Sequence, residues 1–471
     1  MQNLCFVIFF DISLLGGDMN KYFGTDGFRG RAGIELTAEH SFKIGRYLGW
    51  YLKDEKGSSI GKRPRVVIGK DPRLSSYMLE YAIASGLASS GADVYLIHVT
   101  TTPSVSYVTI SEGFDLGVMI TASHNPFTDN GIKVIDRRGQ KLGDLLAARI
   151  EEYIDGIIDV PFASGAEIGR IYDHYSGRNG YIGHLIALAN NSYKGLRIGL
   201  DSANGASFLA ARSVFAALGA EVYSIGDSPD GLNVNYKCGS THPEALAKLV
   251  KEKGLDVGFA FDGDADRCIA IDRQGRIVDG DAILYILAKR LKRQGALNGN
   301  KIVATVMSNG GLIKSLADEG IGVEITKVGD RFVYERMQEM GLSLGGEQSG
   351  HVILGNLETT GDGIVTAITL AEEMLDTGKG LDELSAGLTV FAQITKSVEV
   401  KDKSKAASDT KISEIIQSFV ANGCYGRRIL VRESGTEPLV RIMAEARTQK
   451  ECDAVVNDIL SALKERGHLY D

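Results

Sequence analysis

The sequence predicts an α/β protein: three related α/β domains with mixed, mainly parallel sheets, followed by a smaller C-terminal α+β domain. Two observations carry this expectation. First, three stretches share one grammar: "RPRVVIGKDPRLSSYMLEYAIASGLASSGADVYLIHV", "LRIGLDSANGASFLAARSVFAALGAEVYSIGD" and "NKIVATVMSNGGLIKSLADEGIGVEITKVGD". Each opens with a β-branched strand, crosses a Gly/Asp/Ser/Asn loop, runs through a helical stretch to a glycine (Gly91, Gly219, Gly322) and enters a second strand. Strands alternating with helices predict parallel pairs covered by helices, with loops at the strand C-termini open to ligands. Second, the chain has 471 residues, 44% of them hydrophobic, which suffices for several cores.

In chain order, residues 1–18 ("MQNLCFVIFFDISLLGGD") read as a dispensable extension before Met19. The run has no Lys or Arg before it, carries Asp11 inside it and is too short to span a bilayer, so it does not read as a signal peptide or anchor. The three α/β domains are expected at 19–170, 171–273 and 274–387. The tail from 388 to 471 changes character. "LTVFAQITKSVEV" reads as a strand, "KISEIIQSFVANG" as a helix, "RRILVRESGTEPLVRIMAEA" as two strands around a tight loop, and "KECDAVVNDILSALKERG" as an amphipathic helix.

A net charge of −8 argues against a nucleic-acid binder but permits a cationic pocket for a small anion. The five cysteines are scattered, without CxxC pairs or zinc spacing, and fit a reduced, cytoplasmic setting. No run is long enough for a membrane span. The nucleotide phosphate loop is also missing: "GSSIGKR" is one residue short and has no Ser or Thr after Lys62.

The strongest metal signal is "GFAFDGDADRCIAID". Asp262, Asp264 and Asp266 alternate in a tight loop after a strand, which can converge carboxylates on one hard divalent cation such as magnesium. A Ca²⁺ hand is excluded, because its required Gly and Glu positions hold Arg267 and Arg273. "TASHNPFTDNGIK" sets Ser123 beside His124. The flanks are not those of a hydrolase elbow, and adjacent residues on an extended loop point apart, so His124 is expected to be poorly placed as a base for Ser123. A phosphoryl-carrying serine, with Lys133 nearby and the aspartates supplying a cation, and a plain loop hydroxyl both remain open. "RESGTEPLVR" offers Arg432, Ser434, Gly435, Thr436 and Arg441 as a phosphate clamp, with a hairpin turn carrying surface arginines as the alternative, and Glu433 adds a negative charge beside it. "GGEQSGH" offers Glu347, Ser349 and His351 for sugar hydroxyls or an amino group.

Together, "KYFGTDGFRG", "TASHNPFTDNGIK", "CGSTHPE", "DGDADR", "GGEQSGH", "TTGDG" and "SGTEPLVRIM" occur in an order that resembles the α-D-phosphohexomutases, over almost everything from Lys21 onward. That resemblance implies four domains around a central cleft, the last with a TATA-binding-protein-like sheet. It implies a phosphoserine at Ser123 that is required for activity, and one Mg²⁺ held by Asp262, Asp264, Asp266 and the phosphoserine. Arg29, His124, Lys133 and Arg267 would serve the transfer centre. Glu347, Ser349 and His351 would meet the sugar, and the Arg432–Arg441 loop would hold the distal phosphate, with "TKVGDRF" as a further substrate loop. The implied reaction moves a phosphoryl group between the 6- and 1-positions of a hexosamine phosphate through a 1,6-bisphosphate, feeding amino-sugar nucleotide and cell-wall precursor synthesis. Glucose or mannose phosphates are the alternative substrates, and the enzyme would be a monomer or homodimer.

Overall fold

Three mixed sheets repeat one topology. The first holds β1 (Phe23–Gly24), β2 (Gly27–Arg31), β3 (Arg65–Lys70), β4 (Asp93–Val99), β5 (Leu116–Ile120), β6 (Asp129–Asp136) and β7 (Ile171–Asp173), in the order β1-β2-β6-β5-β3-β4-β7. The second holds β8 (Arg197–Asp201), β9 (Glu221–Ile225), β10 (Val257–Phe261), β11 (Cys268–Asp272) and β12 (Ile277–Val278), in the order β12-β11-β10-β8-β9. The third holds β13 (Lys301–Thr305), β14 (Gly322–Thr326), β15 (Leu344–Gly346) and β16 (Val352–Leu354), in the order β14-β13-β15-β16. The computed structural model describes residues 21–24, 26–55, 63–421, 426–433 and 439–470, so the N-terminal extension and Ser434, Gly435 and Thr436 lie outside the described residues.

In each sheet two strands pair in parallel with a central one, and a further strand returns antiparallel: β6 on β5, β11 on β10, β16 on β15. The loops that make those returns hold Ser123, the three aspartates, and Glu347 to His351. The three predicted chemical loops thus occupy equivalent places. Strands covered on both faces need unbroken apolar runs, and "LGVMI" of β5 and "VGFAF" of β10 are buried at every position.

Two details differ from the sequence expectation. The left-handed glycine after the third repeat's helix is Gly320, at φ +67°, while Gly322 already begins β14. Two glycines flank Ile321, and only the backbone distinguishes the helix stop from the strand start. Short strands also run past the expected limits at 170 and 273: β7 pairs with β4, and β12 with β11. Both are two- or three-residue edge strands, too short to carry a pattern.

The C-terminal sheet is antiparallel, β17 (Ala392–Glu399), β19 (Leu439–Ala446) and β18 (Arg428–Glu433) in the order β17-β19-β18. Its core joins Val440 and Ile442 to Cys452, Val455 and Ile459 of the helix Gln449–Glu465. That helix starts on a capping box, in which Thr448 accepts from Glu451 N and Glu451 accepts from Thr448 N. The helix Gly310–Asp318, which follows β13 in sequence, packs in this same body. Gly310 N–H donates to Glu445 at 3.0 Å, and Asn309 exchanges two hydrogen bonds with the Phe391 backbone.

Candidate active site

The loop after β5 delivers Ser123 with φ +51°, a left-handed conformation rare for a residue with a Cβ. Its Oγ donates to Asp262 Oδ2 at 2.6 Å. The same backbone turn corrects the expectation that His124 points away. Ser123 is not extended, and its Oγ lies 3.3 Å from His124 Nδ1. The serine proton nevertheless goes to the Asp262 carboxyl oxygen, because that contact, at 2.6 Å, is much shorter than the 3.3 Å to the ring.

The turn between β10 and β11 folds Asp262, Asp264 and Asp266 inward, helped by Ala265 at φ +56°. Among the described residues this trio forms the group of His, Cys, Asp and Glu side chains able to hold a metal. Its ligand oxygens lie within 4.8 Å of one another and all three residues are buried. Lys133 on β6 reaches it with Nζ 2.6 Å from Asp264 and 3.3 Å from Asp266, and the Thr102 hydroxyl also donates to Asp264. Burial works against the charge on Lys133, but Asp264 and Asp266 hold its pKa above the usual lysine range.

One lysine does not satisfy three buried carboxylates. Burial, then the charges of Asp266 and Asp264, push the Asp262 carboxyl up to about 8. Asp264 Oδ1 and Asp266 Oδ1 are buried without a hydrogen-bond partner. Orphaned acceptors in a cluster of carboxylate oxygens fit a hard divalent cation of the Mg²⁺ kind.

The remaining predicted residues sort by depth. Arg29 lies 3.5 Å from Asp26, and Arg267 places Nε 4.0 Å from Asp266 while its N–H donates to Asp262. Burial, and then the Arg267 and Arg29 charges, push the His124 imidazole down to about 4. Glu347 accepts from Gly329 N–H at 3.0 Å, which ties the "TKVGDRF" loop to the "GGEQSGH" loop, and Ser349 is exposed. His351 sits deeper than a sugar contact requires: it is 2% exposed, 3.8 Å from both Asp266 and Asp330, and accepts from Gly361 N–H. In the C-terminal body, Arg432 and Arg441 stand directly opposite each other across β18 and β19. Glu433, one residue on, is exposed and by strand alternation projects from the other face of the sheet.

Comparison with known proteins gives the same domain series. Phosphoglucomutase/phosphomannomutase α/β/α domains I, II and III match residues 20–159, 179–275 and 279–391, and the C-terminal domain matches 396–462. A phosphoglucosamine mutase of Lachnospira eligens is 52% identical over 96% of this chain and 100% of its own length. The chain belongs to the phosphoglucomutase/phosphomannomutase family. A phosphoglucosamine mutase of Bacillus pumilus is 48% identical, covering 95% of this chain and 99% of that one. The crystal structure of a phosphoglucomutase/phosphomannomutase family protein from Burkholderia thailandensis superposes with a TM-score of 0.78 at 26% identity, over 95% of this chain and 98% of that one.

Several residues that hold the Ser123 backbone carry no motif in the sequence. Arg73 and Asn235 both donate to the Ser123 carbonyl at 2.8 Å, and Thr121 Oγ1 accepts the Ser123 N–H at 2.9 Å. The only hint was turn chemistry, in "KDPRLSS" and "GLNVNYKCGS", where Asn235 at φ +60° takes a conformation that asparagine tolerates.

Proposed function

We propose that this chain interconverts glucosamine 6-phosphate and glucosamine 1-phosphate through a phosphorylated Ser123 and a bound 1,6-bisphosphate. The observation that carries the reading is Ser123 Oγ at 2.6 Å from Asp262, inside a buried trio of carboxylates with orphaned oxygens. The names of relatives at 48–52% identity over nearly the full chain favour glucosamine over the neutral sugars.

In the forward half-reaction the Ser123 Oγ–P bond breaks as a bond forms from the C1 oxygen to phosphorus. The C1 hydroxyl proton must leave. His124, its imidazole pushed down by burial and by the Arg267 and Arg29 charges and 3.3 Å from Ser123 Oγ, is the acceptor in reach, whereas Lys133 is held above the usual lysine range by Asp264 and Asp266. Lys133, Arg29 and Arg267 place positive charge around the transferring group, and His351 steadies Asp266 from behind. A Mg²⁺ ion held by Asp262, Asp264 and Asp266 would supply further charge neutralisation. Glu347 and Ser349 engage the sugar, and Arg432, Ser434, Gly435, Thr436 and Arg441 hold the phosphate that is not reacting. The bisphosphate then reverses end for end and returns its C6 phosphoryl group to Ser123. Among the described residues no helix is long and apolar enough to cross a membrane, which is compatible with work on a cytoplasmic sugar phosphate.

The test is peptide mass mapping and glucosamine-phosphate turnover of the wild type beside Ser123→Ala. The wild type should carry phosphate on Ser123 and the variant should lose at least about 10⁴ in kcat. Wild-type turnover by the alanine variant would end the carrier reading. Faster turnover of glucose or mannose 6-phosphate by the wild type would move it to another sugar.

A further inference from the structure

Ser123 is held by its backbone more tightly than a flexible phosphate arm would need. Thr121 Oγ1 accepts the Ser123 N–H at 2.9 Å and donates to Asp71 Oδ2 at 2.7 Å. Asp71 also receives Arg73 Nε at 2.7 Å, and Arg73 Nη2 turns to the carbonyls of Ser123 and Asn125 at 2.8 and 2.9 Å. Its Nη1 donates to the carbonyls of Pro126 and Asp129. Arg73 is fully buried, so all of its donors act on the protein itself.

The second grip comes from 112 residues further along the chain. Asn235 Nδ2 donates to the same two carbonyls, Ser123 at 2.8 Å and Asn125 at 3.0 Å, from a loop beside the second sheet. The Asn235 backbone is itself anchored, N–H to Ala203 O at 2.8 Å. The amide can sit only one way round, because its oxygen turned toward two carbonyls would be repelled. The metal loop closes on the same spot: a Cβ on Gly263 would lie 2.4 Å from the Ser123 carbonyl oxygen.

We infer that Asn235, with Arg73 and Thr121, is a positioning residue for phosphoryl transfer, holding Ser123 in its left-handed backbone so that Oγ faces the aspartate trio. Asn235 also ties the carrier loop of the first sheet to the second, so the serine is set correctly only when both are folded together. A left-handed serine costs on the order of 1–2 kcal/mol and persists only where its surroundings over-determine it. Reacting atoms displaced by about 1 Å lose on the order of 10²-fold in rate.

This inference rests on Ser123 being the carrier. The experiment uses Asn235→Gly and Asn235→Asp in the full chain. Both residues accept φ +60°, so the loop keeps its path, and neither has the amide donors. Each variant, assayed well below its melting temperature, should lose about 10- to 100-fold in kcat with KM within about threefold and with phosphate still found on Ser123. Thr121→Val should show the same split, and Thr121→Ser should restore kcat. Wild-type kcat in the Asn235 variants, or losses that follow only the unfolded fraction, would overturn the clamp. An active wild type without phosphate on Ser123 would instead remove the carrier reading beneath it.

Discussion

The Ser123 loop and the Arg432–Arg441 strand pair, which the proposed reaction would set to the same chemical group, a phosphate, are built in opposite ways. Around Ser123 the protein bonds to itself: backbone N–H, carbonyl and hydroxyl each have an assigned partner, and the residue is 1% exposed. In the C-terminal body two arginines face each other across paired strands, an arrangement that like charges disfavour. Burial and then the Arg441 charge hold the Arg432 guanidinium below its usual range. The first region spends its interactions on geometry, the second brings two like charges together across a strand pair. Under the proposed reaction, bond making needs fixed atoms, and gripping the end of a bisphosphate that is not reacting needs mainly charge.

The sharpest way to break that contrast is to damage each region and ask which kinetic constant moves. Lys133→Met removes a charge that is 2.6 Å from Asp264 and buried with it, and should lower kcat about 10³-fold with little change in KM. Arg441→Ala removes charge-assisted hydrogen bonds worth roughly 1.5–3 kcal/mol each, and should raise KM for glucosamine 6-phosphate about 10- to 100-fold with kcat within about fivefold. Steady-state kinetics on both variants decides the matter. If Lys133→Met acts through KM, or Arg441→Ala through kcat, the division of labour is wrong.

The contrast also explains how much of the molecule could be read from its residues. Strand and helix periods are local, so the three repeats and the tail were legible, and the chemical loops stood out because carboxylates and a Ser-His pair cluster within a few residues. The clamp did not. Arg73 and Asn235 act on backbone carbonyls 50 and 112 residues away, and a carbonyl leaves no trace in a sequence. His124 was misdirected for a related reason: the extended-loop expectation fails where φ turns positive, and nothing in "TASHN" announces +51° at a serine. Helix Gly310–Asp318 shows the same limit at larger scale, since its partner Glu445 lies 135 residues on.

The smallest expected effect separates the stability of the C-terminal body from the chemistry. Asp409 accepts from His468 Nε2 at 2.9 Å and Arg466 Nε at 3.1 Å, joining the end of the last helix to the start of the helix Thr410–Ala421. The His468 hydrogen bond, against the opposing effect of burial, and then the Lys411 N–H and Arg466, hold the Asp409 carboxyl well below its usual range. A carboxylate lowered by folding adds stability above its unfolded pKa of about 4 and loses it as the pH falls through the folded value. Asp409→Asn should therefore lower the melting temperature by about 3 °C at pH 7 and by progressively less below pH 4. Calorimetry from pH 7 to pH 3 measures the gap, and a gap that stays constant across that range would show that charge on Asp409 contributes nothing. Because Asp409 touches neither Arg432 nor Arg441 in these contacts, kcat and KM at 25 °C should stay at wild-type values, which Arg441→Ala does not allow.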